Sequence, residues 1–279
     1  MGAILGLLPL WNAPIFAAAG ALLAPLLLLL RARLPLAALG VAAVVVAIPQ
    51  LLFLREGAAA GAAYPAVRLG YTIAPFSLAG LAAFLIVDFG PKLALALVGL
   101  RSAGPLARRV FVAAGGVAAA ALTIQLSVDI VANHKLLNAW VVLLDPFAAW
   151  GLVVLWRGRR GLARLGARAL ALALGGTIAL GGVVDLVPVA NDARIAYRLA
   201  GDPLFDWVVA ATPGDSIFLS DLWVSNQVLL AGRQVFFGWP IYAWSAGYPT
   251  AARQATYVAM LQRSEEHTSE LQSQSTISY

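Results

Sequence analysis

The chain has 279 residues, of which 61% are hydrophobic and only 11% are charged. A soluble domain has about 25% charged residues, so this composition excludes an ordinary soluble globular protein. The net charge of +6 would suggest nucleic acid as a partner of a soluble protein. Most of the excess lies in arginine-rich connecting segments, so we expect no nucleic-acid binding. The absence of cysteine excludes disulfide bonds and thiolate metal sites.

Six apolar stretches are long enough to cross a bilayer, because a spanning helix needs about 20 mostly apolar residues. The third, 73–100, is too long for a straight span, since its 28 residues would extend about 42 Å against a hydrocarbon core of about 30 Å. Gly90-Pro91 interrupts it, which leaves either one kinked helix or two half-helices. The predicted spans are 12–30, 34–54, 73–100, 110–127, 136–156 and 169–189.

Three short segments between these spans carry arginines and no acidic residue. Positive charge in short loops stays on the cytoplasmic side of a membrane. All three segments share one side only if 73–100 crosses once, so we predict a single crossing and place Met1 and 190–262 outside. The segments are Arg31–Arg33, Arg101–Arg109 and Arg157–Arg168, with the arginines Arg31, Arg33, Arg101, Arg108, Arg109, Arg157, Arg159, Arg160, Arg164 and Arg168.

Residues 190–262 differ from the rest, because acidic and basic residues alternate there with short apolar bursts. Asp202-Pro203 is typical of a helix start, with aspartate as the cap and proline in the first turn. Ser216–Ser220 and Gln234–Gly238 are predicted strands, with a helix over Asp221–Leu230 between them. The pattern predicts a small α/β segment on the outer face.

The fold class predicted from these patterns is an all-α polytopic membrane protein with about six transmembrane helices, in 1–189, followed by a small extracytoplasmic α/β segment, in 190–262. The opening Leu7–Asn12 is typical of a loop entering a helix rather than of the start of a protein, so we expect upstream helices in the natural protein. We also interpret the α/β segment as truncated, because its pattern predicts only the start of a small α/β domain and the composition changes abruptly at Arg263.

The final 17 residues, 263–279, are polar and without periodicity, which is typical of a disordered tail. Arg263–Ser273 also resembles the conceptual translation of a common short-read sequencing adapter. We interpret 263–279 as an artefactual disordered tail and expect the natural protein to continue past Gln262. The alternative is a genuine regulatory tail.

A polar cluster joins two predicted spans on the outer side. Asp129, Asn133, His134 and Lys135 place an acid, an amide, an imidazole and an ammonium within seven residues, followed by Asn138. Polar groups at membrane depth are costly and usually pair or serve a substrate. His134 and Lys135 could bind a lipid phosphate, with Asp129 paired to Lys135. In the alternative interpretation Asn133 caps the next helix and Lys135 snorkels to water. One histidine and one aspartate supply too few ligands for a metal.

A second cluster lies in 232–253, where glycines and aromatic residues accompany two arginines. Aromatic faces stack on apolar sugar faces, and arginine binds phosphate in a bidentate manner. The alternative is an interfacial aromatic belt, which would explain the aromatic residues but not the arginines. The candidate ligand-binding residues are Arg233, Tyr242, Trp244, Tyr248 and Arg253.

A third group consists of acids within the spans, which are functional candidates by default. Asp88 and Lys92 are four residues apart and could pair on one helix face. Asp145 precedes Pro146 in the middle of a span, and Asp185 lies near the outer end of the last one. An acid such as Asp145 would suit a proton-coupled transporter. In the alternative interpretation Asp-Pro is a local kink device.

The two outer clusters resemble the C-terminal half of polytopic bacterial glycosyltransferases of the GT-C class. The resemblance covers about 1–262 and is specific only in these loops. It implies a polyprenyl-phosphate sugar donor, a catalytic acid in an early external loop and a C-terminal extracytoplasmic domain. Glu56 stands alone in loop 55–72, so the resemblance places the catalytic acid in a missing N-terminal part and implies an inactive fragment. The residues that carry it are Ser127–Asp129, Asn133–Lys135, Asn138–Trp140, Ala231–Arg233, Gly238-Trp239, Trp244–Tyr248 and Arg253.

The leading functional hypothesis is therefore a fragment of a bacterial inner-membrane glycosyltransferase. Its partners would be membrane lipid and a lipid-linked sugar. The hypothesis also allows a divalent cation as a cofactor of the full-length protein. The alternative is a multi-pass transporter or flippase for a lipid-linked or small substrate, although it predicts matched half-repeats and none is visible. A third hypothesis is a structural membrane subunit without chemistry.

Overall fold

The computed structural model describes residues 1–54, 64–158, 161–191, 199, 201–222 and 226–276. The chain forms two compact units, Met1–Asn191 and Asp192–Tyr279. Within the described part, six helices are long and apolar enough to cross a membrane, and the strands are short. The protein is therefore an all-α polytopic membrane protein, as the sequence predicts. Glu56, Arg159 and Arg160 lie outside the described residues.

The first unit contains a short helix followed by the six long ones. The long helices match the six predicted spans. The helices are α1 (Gly2–Gly6), α2 (Leu8–Leu29), α3 (Arg33–Leu54), α4 (Leu78–Arg101), α5 (Pro105–Thr123), α6 (His134–Arg157) and α7 (Leu162–Asn191).

The connections that carry the arginines are shorter than the sequence predicts, because part of each predicted segment is helical. Arg108 and Arg109 belong to the first turns of α5, and Arg164 and Arg168 to the first turns of α7. Arginine has a high helix propensity, and its long side chain reaches the interface from within a helix. The helices therefore begin before the arginines rather than after them.

Helix α4 settles how 73–100 crosses the membrane. It is one continuous helix with Pro91 inside, and Ser77 caps it by accepting a hydrogen bond from the Gly80 N–H at 3.0 Å. Strand β1 (Ala66–Val67), which precedes α4, pairs antiparallel with β2 (Ile124–Gln125), which follows α5. The connections α3–α4 and α5–α6 therefore share one end of the unit, and a single crossing of α4 leaves the arginine-bearing connections at the other.

Small side chains bring the helices of the first unit close together. The largest interface joins α4 and α6, which run parallel, and a Cβ atom added at Gly99 or Gly151 would overlap the backbone of the other helix. The core around this contact is rich in alanine, since Ala114, Ala118 and Ala121 of α5 are buried in it. Helix association in lipid depends on such close packing, because hydrocarbon provides no hydrophobic drive.

Helix α1 directly precedes the segment Leu7–Asn12, which the sequence predicts to be the mouth of a loop. Gly2 and Gly6, four residues apart, lie against the α3 backbone, and Gln50 of α3 donates a hydrogen bond to the Gly6 carbonyl at 2.7 Å. Residues 8–11 are already helical, and the chain bends at Asn12, where φ is −160° and ψ is 82°. The prediction of a loop over Leu7–Asn12 is therefore wrong, because α2 begins at Leu8 and Asn12 only bends it.

The second unit has the predicted order of elements in shorter form. It contains helix α8 (Pro203–Ala211), strand β3 (Ile217–Phe218), helix α9 (Gln227–Leu230), strand β4 (Gln234–Val235) and helix α10 (Pro240–Ser245). Strands β3 and β4 are parallel, as a strand–helix–strand unit requires. Asp202 caps α8 as predicted and accepts hydrogen bonds from the N–H groups of Leu204 and Phe205. The predicted helix Asp221–Leu230 is reduced to its last turn, and 223–225 lie outside the described residues.

The last helix, α11 (Ala251–Thr276), contradicts the prediction of a disordered tail over 263–276. The polar run contains good helix formers such as Glu265, Glu266 and Gln272, which extend a helix begun upstream. The absence of an apolar face, on which the disorder prediction rested, does not prevent this extension.

The α4–α6 contact yields a stability prediction. We expect Gly151→Ala to lower the free energy of unfolding by about 1–3 kcal/mol, because the added methyl group would meet the Leu95 carbonyl oxygen. Thermal unfolding of the purified protein in detergent measures the change. Gly115→Ala on α5 is the matched control, since nothing lies within 4 Å of its added Cβ. Equal melting temperatures for the two variants would contradict the close contact.

Candidate functional site

The end of the first unit opposite the arginines is closed by a compact polar cap made of 64–77 and 124–133. Asn133 is fully buried at its centre. Its amide nitrogen donates to the carbonyls of Ala121 and Ile124, and its oxygen accepts from the Leu126 N–H at 3.2 Å. Asn133 therefore holds the end of α5 and the start of β2 together. Its side chain is fully occupied within the protein, which favours a structural role over ligand binding.

Asp129 and Lys135 do not form the predicted pair. The Asp129 carboxylate caps a 3-10 turn, Ile130–Asn133, by accepting from the Val131 N–H at 2.9 Å. Among the described residues the ion pair that forms is elsewhere, between Lys92 and Asp145. A local backbone donor satisfies the carboxylate without the side-chain ordering that an exposed ion pair requires. Lys135 is therefore left exposed and available.

Tyr71 connects the cap to the helices. Its hydroxyl donates to the Val131 carbonyl at 3.3 Å, and its ring begins a series of aromatic contacts through Phe84 and Phe89 to the buried Trp140. Burial raises the pKa of the Tyr71 hydroxyl, and the negative charge of nearby Asp129 adds to the effect. The phenol therefore stays protonated and continues to donate throughout the physiological range.

His134 and Lys135 are adjacent in sequence but differ in surroundings. His134 is exposed, and its Nδ1 lies 2.8 Å from the Val131 carbonyl oxygen. Lys135 lines a groove of about 500 Å³ between α2 and α6. Only Lys135 of the four predicted residues in this cluster lines that groove, so the cluster separates into two cap residues, an exposed imidazole and one groove cation.

The groove between α2 and α6 has a polar mouth above an apolar wall. The mouth is formed by Lys135 and by the amides of Asn12 and Asn138. Within the described chain, neither Lys135 nor Asn138 has a hydrogen bond or ion pair, and Asn12 uses its oxygen to accept from the Ile15 N–H at 3.3 Å. The wall consists of aliphatic side chains that extend toward the membrane interior: Ile15, Ala18, Ala19, Leu22, Ala139, Val142 and Leu143.

Asn12 is a groove residue that the sequence analysis missed. It is the first polar side chain of the chain, placed two residues before Pro14 within an apolar stretch. An asparagine shortly before a proline is a signal for a break in a helix, which the structure shows at this position. That signal could have indicated that α2 presents a polar group near the cap end of the first unit.

The predicted pair between Asp88 and Lys92 is wrong. Lys92 instead reaches across to α6, where its ammonium lies 2.6 Å from Asp145 Oδ1. Both residues lie near the middle of their helices, beside Pro91 and Pro146. The Asp145 side chain is 53% exposed on the isolated chain, so the ammonium covers one side of the carboxylate and leaves the other open. Asp185 lies on α7, with its side chain outside the described atoms.

In the second unit, Arg233 is held by the protein itself. Its guanidinium donates to Thr212 Oγ1 at 3.0 Å and to the carbonyls of Ala231, Val208, Val209 and Thr212. Most of these acceptors belong to the C-terminal turn of α8, where unpaired carbonyls attract a cation. The arrangement favours a capping role for Arg233 over the predicted binding of phosphate.

The predicted aromatic residues of the second unit are exposed but do not share one face. Tyr242 and Trp244 are two residues apart on α10, so their side chains leave the helix in different directions, and Tyr248 follows the helix. Arg253 on α11 lies with its guanidinium 5.6 Å from the centre of the Phe236 ring. Asp202 has a lowered pKa, chiefly because the Phe205 N–H donates to its carboxylate.

The cap yields a second stability prediction. We expect Asn133→Ala to lower the free energy of unfolding by about 2 kcal/mol or more, because it leaves two carbonyls and one N–H without a partner. Thermal unfolding in detergent measures the change. The control is Asn138→Ala, since Asn138 is exposed and has no hydrogen bond within the described chain. A loss of stability as small as that of the control would contradict the structural role.

The intramembrane ion pair yields a third prediction. We expect Lys92→Met and Asp145→Leu each to destabilise the protein by about 3 kcal/mol, because each leaves its partner's charge without a counter-charge. The double variant restores electroneutrality, so its loss should be smaller than the sum of the single losses. Unfolding measurements on all four proteins provide this double-mutant cycle. Asp88→Asn controls for the loss of an acid elsewhere on α4, and additivity of the two losses would contradict the pair.

Comparison of the chain with protein-family models, with curated proteins and with solved structures returned no match. Among the described residues, no group of three or more histidine, cysteine, aspartate or glutamate side chains is placed to hold a metal ion. The functional argument therefore rests on the geometry of the α2–α6 groove and of the Lys92–Asp145 pair.

Proposed function

We propose that the protein is part of an integral membrane glycosyltransferase and that its α2–α6 groove holds the polyprenyl phosphate of a lipid-linked sugar donor. The observation that carries the proposal is the position of Lys135, Asn12 and Asn138 at the mouth of a groove with an aliphatic wall. A lipid phosphate needs such a site: a cation and amide donors at the interface, with a hydrocarbon surface directly below.

The shape of the groove favours a single hydrocarbon chain. Its walls are two helices, and several of the residues at the contact are alanines, namely Ala18, Ala19 and Ala139. A polyprenyl phosphate has one chain beneath its phosphate, whereas an ordinary phospholipid has two. The sugar attached to the phosphate would then project toward the end that carries the cap.

The proposal assigns donor binding to the groove and leaves the transfer step to other groups. No carboxylate is among the described residues that line the groove, so none is placed there to act as the base that activates an acceptor hydroxyl. Asp129 and Asn133 enter the proposal as cap residues that fix the start of α6 and with it Lys135, whereas His134 has no part in it. Arg233 is assigned to the fold of the second unit.

The groove yields a binding prediction. We expect Lys135→Gln to weaken binding of a polyprenyl phosphate by about tenfold or more, because a charge-assisted hydrogen bond to phosphate is lost. Ala139→Leu should weaken it by filling the wall, with the cation left in place. Binding to the purified protein in nanodiscs of neutral lipid, measured with a fluorescent polyprenyl phosphate, tests both variants.

Two controls sharpen this measurement. His134→Ala removes the neighbouring polar side chain, which does not line the groove, and should leave binding unchanged. Phosphatidic acid offers the same phosphate on two acyl chains and should compete poorly. Equal binding to wild type and Lys135→Gln, or equal competition by phosphatidic acid, would overturn the assignment of the groove.

A second candidate function, proton-coupled transport, is favoured by the Lys92–Asp145 pair in the middle of the spans. Charged residues at this depth commonly mark proton or substrate paths. The two functions separate experimentally, because Asp145→Asn should abolish proton-coupled uptake in vesicles if the protein is a transporter. If the groove serves a sugar donor, the same variant should still bind polyprenyl phosphate.

A further inference from the structure

A second groove lies between α6 and α7, at the end of the first unit opposite the cap. It has a volume of about 390 Å³ and is lined mainly by aliphatic side chains of both helices, together with Trp156 and Arg157. Gly175 and Gly176 of α7 form part of its floor, and the lack of side chains at these two positions contributes to its width. The groove is independent of the α2–α6 groove and has no part in the proposed function.

Among the described residues, two arginines lie at the mouth of this α6–α7 groove. Arg157 is the last residue of α6 and lines the groove directly. Arg168 lies one turn of α7 before the lining residues Ala171 and Leu172, on the same helix face. Its guanidinium is 4.8 Å from the centre of the Trp156 ring, which fixes its position beside the groove.

Neither arginine is neutralised by the described part of the chain. The Nε of Arg168 donates to the Trp156 carbonyl at 3.4 Å, and its two terminal nitrogens have no hydrogen bond there. Arg157 has neither an ion pair nor a hydrogen bond within the described residues. The segment 157–168 contains five arginines and no acidic residue, so a counter-charge has to come from outside it.

We propose that the α6–α7 groove binds an anionic phospholipid from the leaflet at the arginine end. The phosphate would lie between Arg157 and Arg168, whose guanidinium groups can donate in pairs to phosphate oxygens. An acyl chain would lie along Leu172, Gly175 and Gly176. Basic pockets between transmembrane helices are suited to anionic headgroups, and the arginine-rich end is the side at which positive charge is retained.

Charge and hydrocarbon contact can be tested separately. Gly176→Leu adds an apolar side chain at a position that lines the groove and whose added Cβ has nothing within 4 Å, and it leaves every charge in place. Gly181→Leu makes the same change on the same helix, also in open space, at a position that does not line the groove. Arg157→Gln and Arg168→Gln remove the headgroup contacts, and Arg31→Gln removes an arginine from another connection.

The experiment measures binding of dioleoyl phosphatidylglycerol and dioleoyl phosphatidylcholine to the delipidated protein in detergent, by native mass spectrometry and by thermal shift. We expect phosphatidylglycerol alone to be retained and to raise the melting temperature. Gly176→Leu and either groove arginine variant should weaken its binding by about tenfold or more, whereas Gly181→Leu and Arg31→Gln should not. Soluble glycerol phosphate should give no shift.

Three results would overturn the proposal. Equal retention of the two lipids would show that the headgroup charge is not recognised. Unchanged phosphatidylglycerol binding by Gly176→Leu would place the lipid elsewhere, even if the arginine variants weakened binding through the general charge of this end. A change in oligomeric state on Gly176→Leu, with lipid binding intact, would assign the groove to a second copy of the chain.

Discussion

Hydrocarbon offers no hydrogen-bond partner, so each polar group placed between the ends of these helices depends on a partner supplied by the protein or by a bound molecule. This constraint accounts for the reach of Lys92 across to Asp145, because two charges in the middle of the spans are tolerable only together. Gln50 follows the same constraint in part: its amide nitrogen donates to the Gly6 carbonyl at the end of α1, whereas its buried amide oxygen has no partner among the described residues. The helix arrangement therefore follows from polar satisfaction as well as from packing.

Close backbone packing makes these polar contacts geometrically available. Gly99 and Gly151 let α4 and α6 approach until their backbones touch, and this approach brings Lys92 within reach of the Asp145 carboxylate. At the cap end of the same helices, Asn133 uses all of its hydrogen-bonding groups to fix the turn that precedes α6. Since Lys135 follows two residues later, the cap also fixes the direction in which that ammonium meets the α2–α6 groove.

The two grooves have the same construction at opposite ends of the first unit. Each combines unneutralised basic side chains at the interface with an aliphatic wall beneath: Lys135 above the α2–α6 groove, and Arg157 with Arg168 above the α6–α7 groove. Both grooves contain α6, whose N-terminal half lines one and whose last turns line the other. Amphipathic sites of this kind fit amphipathic ligands. One groove offers an ammonium and two amides, and the other offers two guanidinium groups, which favours different headgroups at the two ends.

The sequence by itself determined the spans, their single crossings and the cap of α8, because hydrophobic length, arginine distribution and the Asp202-Pro203 pair are local signals. Only the tertiary structure decided which polar residues are available for a ligand. Asp88 is close to Lys92 in the sequence, and Asp145 is close to it in space. The Lys92 ammonium pairs with Asp145, on the neighbouring helix. Asn133 and Arg233 resemble ligand-binding residues in the sequence. In the fold, their side-chain N–H groups donate to backbone carbonyls of the protein. Partner choice depends on the distances between helices, and those distances are set by packing between Gly99 and Gly151, which lie on two helices that are separated in the sequence.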